Sequence, residues 1–205
     1  MLEFNSGTHS FTWEGAPVPN VTRILAPLYG LEDPVYQSYI ESAGKRGTVV
    51  HEATERHDRG LEMAVLGQSW REEDGIGSYL GAWKCFLRDT GFTIHAIEEA
   101  VYSQRYRYAG ILDRLGVLNG RRVVIDIKTS AAIKPVMGIQ LAAYQAAVNE
   151  SRKKAEQYPY RFICQLKRDG TYRLEEFRDR GDFSVFLALL TLHQWKARHH
   201  GNDKS

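Results

Sequence analysis

YAGILDRLGVLNGRRVVIDIKTS, residues 108–130, predicts the β-hairpin on which the rest of the fold depends. Residues 106–118 alternate and are rich in leucine, branched and aromatic side chains, as is typical of a strand. Asn119-Gly120 favours a tight turn, and the apolar residues at 123–127 are typical of a buried partner strand. The stretch therefore predicts two antiparallel strands joined by a short turn.

Three charged residues lie within this apolar hairpin. Asp126 and Lys128 are two residues apart, so they lie on the same face of the second strand. The turn brings Asp113, on the first strand, close to the same region. Burying two carboxylates together costs free energy unless a positive group lies between them, so we expect a divalent cation here. The alternative is a surface ion pair on an edge strand, and the flanking apolar residues argue against it.

The composition is that of an ordinary globular chain. Its 205 residues fit one domain, and 43% hydrophobic with 25% charged residues is a common balance. Because the net charge is only +2, nucleic acid would have to be bound by a local basic surface. Cys85 and Cys164 are too few for a disulfide framework and are expected to be reduced core residues. No membrane-spanning run or targeting segment is recognisable, which predicts a cytoplasmic, bacterial or phage-type protein without a membrane partner.

The order of the predicted elements divides a single domain into two parts. Residues 1–91 are expected to be mainly helical and to form one wall of a cleft, after a loose hairpin within residues 1–20. Residues 92–199 are predicted as a β-rich core with helices, and residues 200–205 as a polar tail. Helices followed by β-β-β-α-β-β-α predict an α+β fold (α/β by some schemes), with a mixed central sheet flanked by helices.

The boundaries of individual elements follow from turn residues and apolar spacing. Asn20 is expected to cap a short helix. In the rest of the N-terminal part we predict a helix at 34–43, a basic loop (GKRG) at 44–47, a helix at 48–66 and a polar loop at 67–75. Beyond it we predict helices at 76–89, 136–151 and from residue 182, and strands at 92–103, 160–167 and 171–178.

Several aromatic residues have competing interpretations. The run QRYRY at residues 104–108 interleaves arginines and tyrosines as a single-strand binding surface would, but it fits an ordinary antiparallel strand slightly better. Trp83 and Trp195 lie in apolar helical patterns and are expected in the core. Trp70, in a polar loop, is the tryptophan that we consider for base stacking.

Polar residues recur in five short motifs: Gly47-x-x-x-His51, Glu98, Gly110-x-x-Asp113, Asp126-x-Lys128-Thr129-Ser130 and Gln140-x-x-x-Tyr144. In this order they resemble the PD-(D/E)XK nuclease superfamily, in its RecB-like branch. A D-x-K tripeptide alone is a weak signal, whereas five motifs in order at compatible spacing are specific. The resemblance extends to PNVTRIL at residues 19–25 and AIEEAV at residues 96–101, as in the mitochondrial genome maintenance exonucleases and their phage-type relatives.

The resemblance implies roles for the central residues. Asp113 and Asp126 would be metal ligands, together with the backbone carbonyl of Ile127. His51 would complete or tune the metal shell. Lys128 would orient and activate the attacking water or stabilise the developing charge, and the sequence does not decide between a general base and an electrostatic role. The expected ion is Mg²⁺ or Mn²⁺, since carboxylate and carbonyl oxygens are the ligands that such ions prefer.

The resemblance also implies an outer set of residues. Glu98 would lie at the margin of the site and take part in catalysis, and its neighbour Glu99 would point to solvent. Gln140 and Tyr144, which share a helix face, would brace the site or contact the substrate. Two departures from the family pattern are visible: Leu112 stands where the proline of the family name would be, and the cysteine quartet of iron–sulfur relatives is missing, so we expect no such cluster. Further candidates for substrate contact are Thr129, Ser130, Arg107, Lys45 and Arg46.

The function that the resemblance implies is metal-dependent hydrolysis of DNA phosphodiester bonds in replication, repair or recombination. An exonuclease acting on single-stranded ends is the first expectation, with DNA as the partner and protein partners unknown. One alternative is a duplex-end exonuclease or an endonuclease of the recombination type. A second is a non-catalytic DNA-binding accessory module on a nuclease fold, although none of the four central side chains has been lost.

Overall fold

A computed structural model describes residues 1–29 apart from 6 and 9, residues 34–61 and residues 75–200. It contains a five-stranded sheet and a separate three-stranded sheet. The elements in chain order are β1 (Leu2–Asn5), β2 (Ser10–Trp13), β3 (Ala16–Val18), α1 (Val21–Leu25), α2 (Pro34–Asp58), α3 (Ile76–Thr90), β4 (Thr93–Ser103), β5 (Tyr108–Leu118), β6 (Arg121–Lys128), α4 (Pro135–Asn149), β7 (Tyr160–Leu166), β8 (Tyr172–Glu176) and α5 (Asp182–His200).

The predicted hairpin lies within the five-stranded sheet. β5 and β6 pair antiparallel, starting at Leu118 and Arg121. The two turn residues, Asn119 and Gly120, both have a positive φ, of 49° and 74°. Such a two-residue turn follows the right-handed twist of the flanking strands, and asparagine and glycine adopt it with little strain. The hairpin prediction is confirmed.

The larger sheet has the order β4-β5-β6-β7-β8. Neighbouring strands are antiparallel except for β6 and β7, which are parallel. Two parallel strands need a crossover connection, and α4 lies between β6 and β7 in the chain. A mixed sheet with flanking helices is the α+β architecture that the sequence predicts, and the elements beyond residue 75 lie within about two residues of their predicted bounds.

Helices cover both faces of the sheet. One apolar cluster joins the sheet to α1, α4 and α5, and a second joins it to α2 and α3. Successive side chains of β6 point to opposite faces of the sheet. Ile125 and Ile127 belong to the second cluster, and Val124 belongs to the first. Trp83 lies in the second cluster with no exposed surface, as predicted. A strand buried on both faces explains why residues 123–127 of β6 are apolar at every position except Asp126.

The predicted loop at 44–47 is wrong, because α2 runs without interruption through both of its glycines. The hydroxyl of Thr48 donates to the carbonyl of Gly44, and Val50 in the next turn is fully buried against the sheet. Tertiary packing therefore overrides the low helix propensity of glycine. The helix also ends at Asp58 rather than at 66, where Gly60 has a φ of 65° and its backbone N–H donates to His57, as in a glycine C-cap. Of the predicted loop at 67–75, residues 67–74, with Trp70, lie outside the described residues.

The N-terminal hairpin prediction is extended by a third strand. β1, β2 and β3 form their own antiparallel sheet. The backbone N–H of Ala109 donates to the carbonyl of Pro19 at 3.0 Å, which fixes this small sheet beside β5. Asn20 caps α1 as predicted, since its side chain accepts a 2.7 Å hydrogen bond from the N–H of Arg23.

Two aromatic predictions are corrected. Residues 104–107 form the turn between β4 and β5 instead of continuing a strand, and Arg107 in that turn has a φ of 56°. Trp195 is 48% exposed, so it is not a core residue; its ring lies 4.7 Å from that of His199. The last turns of α5 are exposed because the apolar cluster ends near Leu190. No helix within the described ranges is long and apolar enough to cross a bilayer.

Candidate metal centre

The site lies where β5 and β6 diverge. Their ladder runs from Leu118–Arg121 to Arg114–Ile125 and ends there. Beyond this point β5 continues along β4, while β6 continues along β7. Asp113 and Asp126 are the next residue on each strand, so both carboxylates come from the opening between the strands. The structure thus brings together the two aspartates that the sequence places in one region.

The carboxylate of Asp113 fills the inner end of this opening. Its Oδ2 accepts a 2.6 Å hydrogen bond from the backbone N–H of Ile127 on the other strand. Asp113 is buried, and this burial raises its pKa, against the lowering effect of His51 nearby. The hydrogen bond fixes the orientation of one carboxylate oxygen before any ligand binds.

Asp126 is almost completely buried, with 1% of its surface exposed. The ammonium nitrogen of Lys128 forms an ion pair with its Oδ2 at 2.6 Å, whereas its Oδ1 has no hydrogen-bond partner within the described residues. Burial, to which Asp113 adds, outweighs the lowering effect of Lys128 and raises the pKa of Asp126 to about 6. A buried oxygen without a partner is costly, and a hard divalent cation would satisfy it.

His51 reaches the centre from α2, which forms one wall. Its Nε2 lies 3.0 Å from the carbonyl oxygen of Ile127, and its Nδ1 lies 3.6 Å from both Glu98 Oε1 and Asp113 Oδ2. Burial lowers the pKa of His51, but the two carboxylates outweigh it and raise the pKa to about 9. His51, Glu98 and Asp113 offer ligand atoms within 4.8 Å of one another.

These separations fit a small divalent ion. Donor atoms about 2.1 Å from one octahedral ion are about 3.0 Å apart when adjacent and about 4.2 Å apart when opposite. The two 3.6 Å separations of His51 Nδ1 from Glu98 Oε1 and Asp113 Oδ2 lie in this interval, whereas the contact of Nε2 with the Ile127 carbonyl is on the other side of the ring. With the carboxylate of Asp126 on the adjoining strand, the donor set is that of a carboxylate-rich site with one imidazole.

Glu98, rather than Glu99, faces the centre. The β4–β5 ladder steps from Ile97–Arg114 to Glu99–Leu112, and Glu98 between them has a φ of 48°, which is unusual for a residue with a side chain. Its Oε1 accepts a 2.9 Å hydrogen bond from Nη1 of Arg114. Two adjacent glutamates look alike in a sequence, and only the family order distinguishes them.

Sequence reasoning missed the buried residues behind the centre. Arg114 contacts Glu98 on one side and Thr54 and Asp58 of α2 on the other. One signal was available, because Thr54 and Asp58 follow His51 by three and seven residues and therefore share its helix face. An arginine inside an apolar strand was a second signal.

The opposite wall is formed by α4. Nε2 of Gln140 donates to the hydroxyl of Tyr144 at 3.1 Å, and the hydroxyl of Tyr29, which sequence reasoning also missed, donates to Oε1 of Gln140 at 3.5 Å. Gly110 lies against the same ring: a Cβ there would be 2.5 Å from Cε1 of Tyr144. The glycine of the Gly110-x-x-Asp113 motif thus makes room for Tyr144.

The other candidates for substrate contact divide into two groups. A cleft of about 880 Å³ opens over the centre, and its walls include Arg46, Thr129 and Ser130. Nε of Arg46 is buried and has no hydrogen-bond partner within the described residues. Lys45 is exposed on α2 outside this cleft, and Arg107 lines a different hollow, beside Trp13 and Tyr102.

The chain is similar to known nucleases. The sequence profile of the PD-(D/E)XK nuclease superfamily matches residues 25–195. Mitochondrial genome maintenance exonuclease 1 of Mus musculus is 31% identical over 110 residues, which cover 50% of this chain and 32% of that protein. The Homo sapiens protein of the same name is 25% identical over 189 residues, covering 79% of this chain and 53% of that protein. The chain therefore spans about a third to a half of the length of these relatives.

Among solved structures, an alkaline exonuclease from Laribacter hongkongensis aligns with a TM-score of 0.43 at 13% identity, covering 91% of this chain and 94% of that one. The profile match covers most of the chain and includes every residue of the centre. The chain belongs to the PD-(D/E)XK nuclease superfamily.

Proposed function

We propose that this chain hydrolyses DNA phosphodiester bonds with Mg²⁺ or Mn²⁺, as an exonuclease acting on single-stranded ends. The observation that carries the proposal is the meeting of Asp113 and Asp126 where β5 and β6 diverge, with Lys128 beside them. Superfamily membership supports nuclease chemistry, and the names of the two mammalian relatives support the exonuclease mode. A cytoplasmic location remains part of the proposal.

The residues present fit the ion that the superfamily implies. Asp113, Asp126 and Glu98 would hold it through oxygens, His51 through nitrogen, and Ile127 through its carbonyl. When bound, such an ion supplies a water with a lowered pKa and neutralises charge on the phosphate. Mg²⁺ prefers an all-oxygen shell and keeps several waters, whereas the imidazole makes Mn²⁺ equally suitable.

The side chains would orient the substrate. Lys128 is partly exposed to the cleft, where its ammonium can donate to a phosphate oxygen or to the attacking water. Tyr29, Gln140 and Tyr144 form a hydrogen-bonded series along one wall, which keeps the wall rigid while the substrate binds. Arg46 lines the cleft, where its guanidinium can contact a phosphate of the strand.

The cleft over the centre has a volume of about 880 Å³, which is room for part of a nucleic-acid strand. α2 and the segment after β6 both line the cleft, which leaves the scissile phosphate between two walls.

Digestion of end-labelled DNA tests the proposal. The full chain is incubated with single-stranded, duplex and closed circular DNA, each with Mg²⁺, Mn²⁺ or a chelator. We expect release of short products from the linear single strand, no cleavage of circles, and loss of activity with the chelator. Cleavage of circles would show an endonuclease, and faster digestion of duplex ends would show the recombination-type enzyme. DNA binding without metal-dependent turnover would identify a non-catalytic module.

A further inference from the structure

Arg114 is a fully buried cation that directly follows Asp113 on β5. Its N–H groups donate to four acceptors: Asp58 Oδ2 at 2.7 Å, Glu98 Oε1 at 2.9 Å, the Asp113 carbonyl at 2.7 Å and Thr54 Oγ1 at 3.1 Å. A buried charge is tolerated when it is paired and hydrogen-bonded, and here each of the three guanidinium nitrogens donates to an acceptor. The planar guanidinium fixes the direction of every one of these bonds.

The four acceptors belong to two different parts of the molecule. Glu98 and the main chain of Asp113 belong to the metal centre, whereas Thr54 and Asp58 belong to α2. Asp58 also accepts a 2.8 Å hydrogen bond from the indole N–H of Trp83 on α3, so the hydrogen-bonded network around Arg114 extends to a second helix. The guanidinium therefore holds Glu98 in a fixed relation to α2, the helix that carries His51.

The side chain of Glu98 needs a hydrogen-bond donor that fixes its orientation. Its φ of 48° is a strained conformation that persists where the surroundings determine it. The side chain is 22% exposed, so without a partner its carboxylate could turn towards solvent. The bond from Arg114 instead keeps Oε1 at 3.6 Å from His51 Nδ1, within the group of ligand atoms.

We propose that Arg114 is a positioning residue: it holds Glu98 towards His51 and Asp113, and in this way sets the affinity of the centre for a divalent cation. The inference rests on the proposed function in one respect, namely that the centre binds such a cation. The competing view is that Arg114 only stabilises the packing of α2 and α3 on the sheet. The two views differ in what happens to metal affinity in a folded variant.

Arg114→Lys distinguishes them, because lysine keeps the charge but cannot make the forked contacts. Binding of Mn²⁺ to the full chain is measured by isothermal titration calorimetry, below the melting temperature of each variant. We expect the affinity to fall by about 10- to 100-fold, the usual effect of removing a group that orients a ligand. Unchanged affinity in folded Arg114→Lys would overturn the inference.

Trp83→Phe is the matched control. It removes the indole donor to Asp58 but keeps an aromatic ring beneath the Arg114 guanidinium, whose central carbon lies 5.5 Å from the ring centroid of Trp83. We expect a lower melting temperature with unchanged Mn²⁺ affinity. If Trp83→Phe weakens Mn²⁺ binding as much as Arg114→Lys does, loss of packing explains both and the positioning role is contradicted.

A double-variant cycle tests whether Arg114 acts through Glu98. In a Glu98→Ala background, Arg114→Lys should cause no further loss of Mn²⁺ affinity, because the positioned side chain is already missing. The same fold loss of Mn²⁺ affinity in both backgrounds would show that Arg114 acts on the centre without Glu98, which contradicts the inference. If Arg114→Lys does not fold, Asp58→Asn, which removes the opposite charge, should weaken Mn²⁺ binding in the same direction, and unchanged affinity would contradict the inference. Absence of Mn²⁺ binding by the unmodified chain would instead refute the metal part of the proposed function.

Discussion

The backbone N–H of Ile127 donates a 2.6 Å hydrogen bond to Oδ2 of Asp113, although the two residues lie on strands that have stopped pairing with each other. This bond closes the inner end of the opening between β5 and β6. It also directs one carboxylate towards the other strand, where Asp126 and Lys128 lie. The Asp113 carboxylate therefore accepts from Ile127 where backbone pairing between the two strands has ended, and this bond holds its Oδ2 in position.

Asp113→Asn should keep this bond and lose the charge. The amide oxygen can still accept from Ile127, so we expect a melting temperature close to that of the unmodified chain. Metal-dependent cleavage should fall by about 100-fold or more, because a bound ion contributes several kcal/mol to the transition state and each 1.4 kcal/mol is about tenfold in rate.

Glu99→Gln is the control for Asp113→Asn. It removes a carboxylate from β4 beside the centre but outside the cleft, and the cleavage rate should be unchanged. Both rates are measured on labelled single-stranded DNA with circular dichroism of each variant. Cleavage by Asp113→Asn at the rate of Glu99→Gln would show that the carboxylate is not a ligand.

Gly110→Ala should destabilise the chain. The added Cβ would lie 2.5 Å from the ring of Tyr144 and must displace it, which typically costs about 1–3 kcal/mol. Gly81→Ala in α3 adds the same atom where nothing lies within 4 Å, and it should stabilise the helix by about 1 kcal/mol. Urea unfolding measures both changes, and equal effects of the two substitutions would contradict the close approach of Gly110 to Tyr144.

Arg46→Ala and Arg107→Ala each remove one arginine, but only Arg46 lines the cleft over the centre. Arg46→Ala should raise the KM for single-stranded DNA several-fold and reduce the slope of log affinity against log salt by about 1, the contribution of one phosphate contact. Arg107→Ala should change neither quantity. If Arg107→Ala has the larger effect, the strand follows the hollow beside Trp13 instead of the cleft.

Mn²⁺ should stabilise the folded chain. At 100 times the dissociation constant the expected gain is about 2.7 kcal/mol, or about 5–10 °C in melting temperature for a domain of this size. Asp126→Asn should abolish most of this shift, because it removes a buried carboxylate that we propose to bind the ion. Asp89→Asn, at an exposed ion pair with Arg88, should leave the shift unchanged. Equal shifts in the two variants would place the ion elsewhere.

Local patterns were sufficient to predict the hairpin and the meeting of its charged residues. Asn119-Gly120 determines the turn, and the two-residue spacing of Asp126 and Lys128 places both on one face. Both features depend on residues that are close together in the chain, so they can be predicted from the sequence alone.

Features that depend on distant contacts were not predictable in the same way. α2 passes through Gly44 and Gly47 because it is packed on the sheet, and Trp195 is exposed because the apolar cluster ends before it. The contacts of Arg114 join β5 to residues some sixty positions earlier in the chain, which no local pattern reveals. The end of α2 is different, because Gly60 is a typical helix stop signal that is visible in the sequence.

The most direct test of the central claim is a crystal of the chain soaked with Mn²⁺ and measured for anomalous scattering. The account predicts a peak between the carboxylates of Asp113 and Asp126, at a coordination distance of about 2.1 Å from an oxygen of each. No peak there, or a peak that contacts neither aspartate, would contradict it.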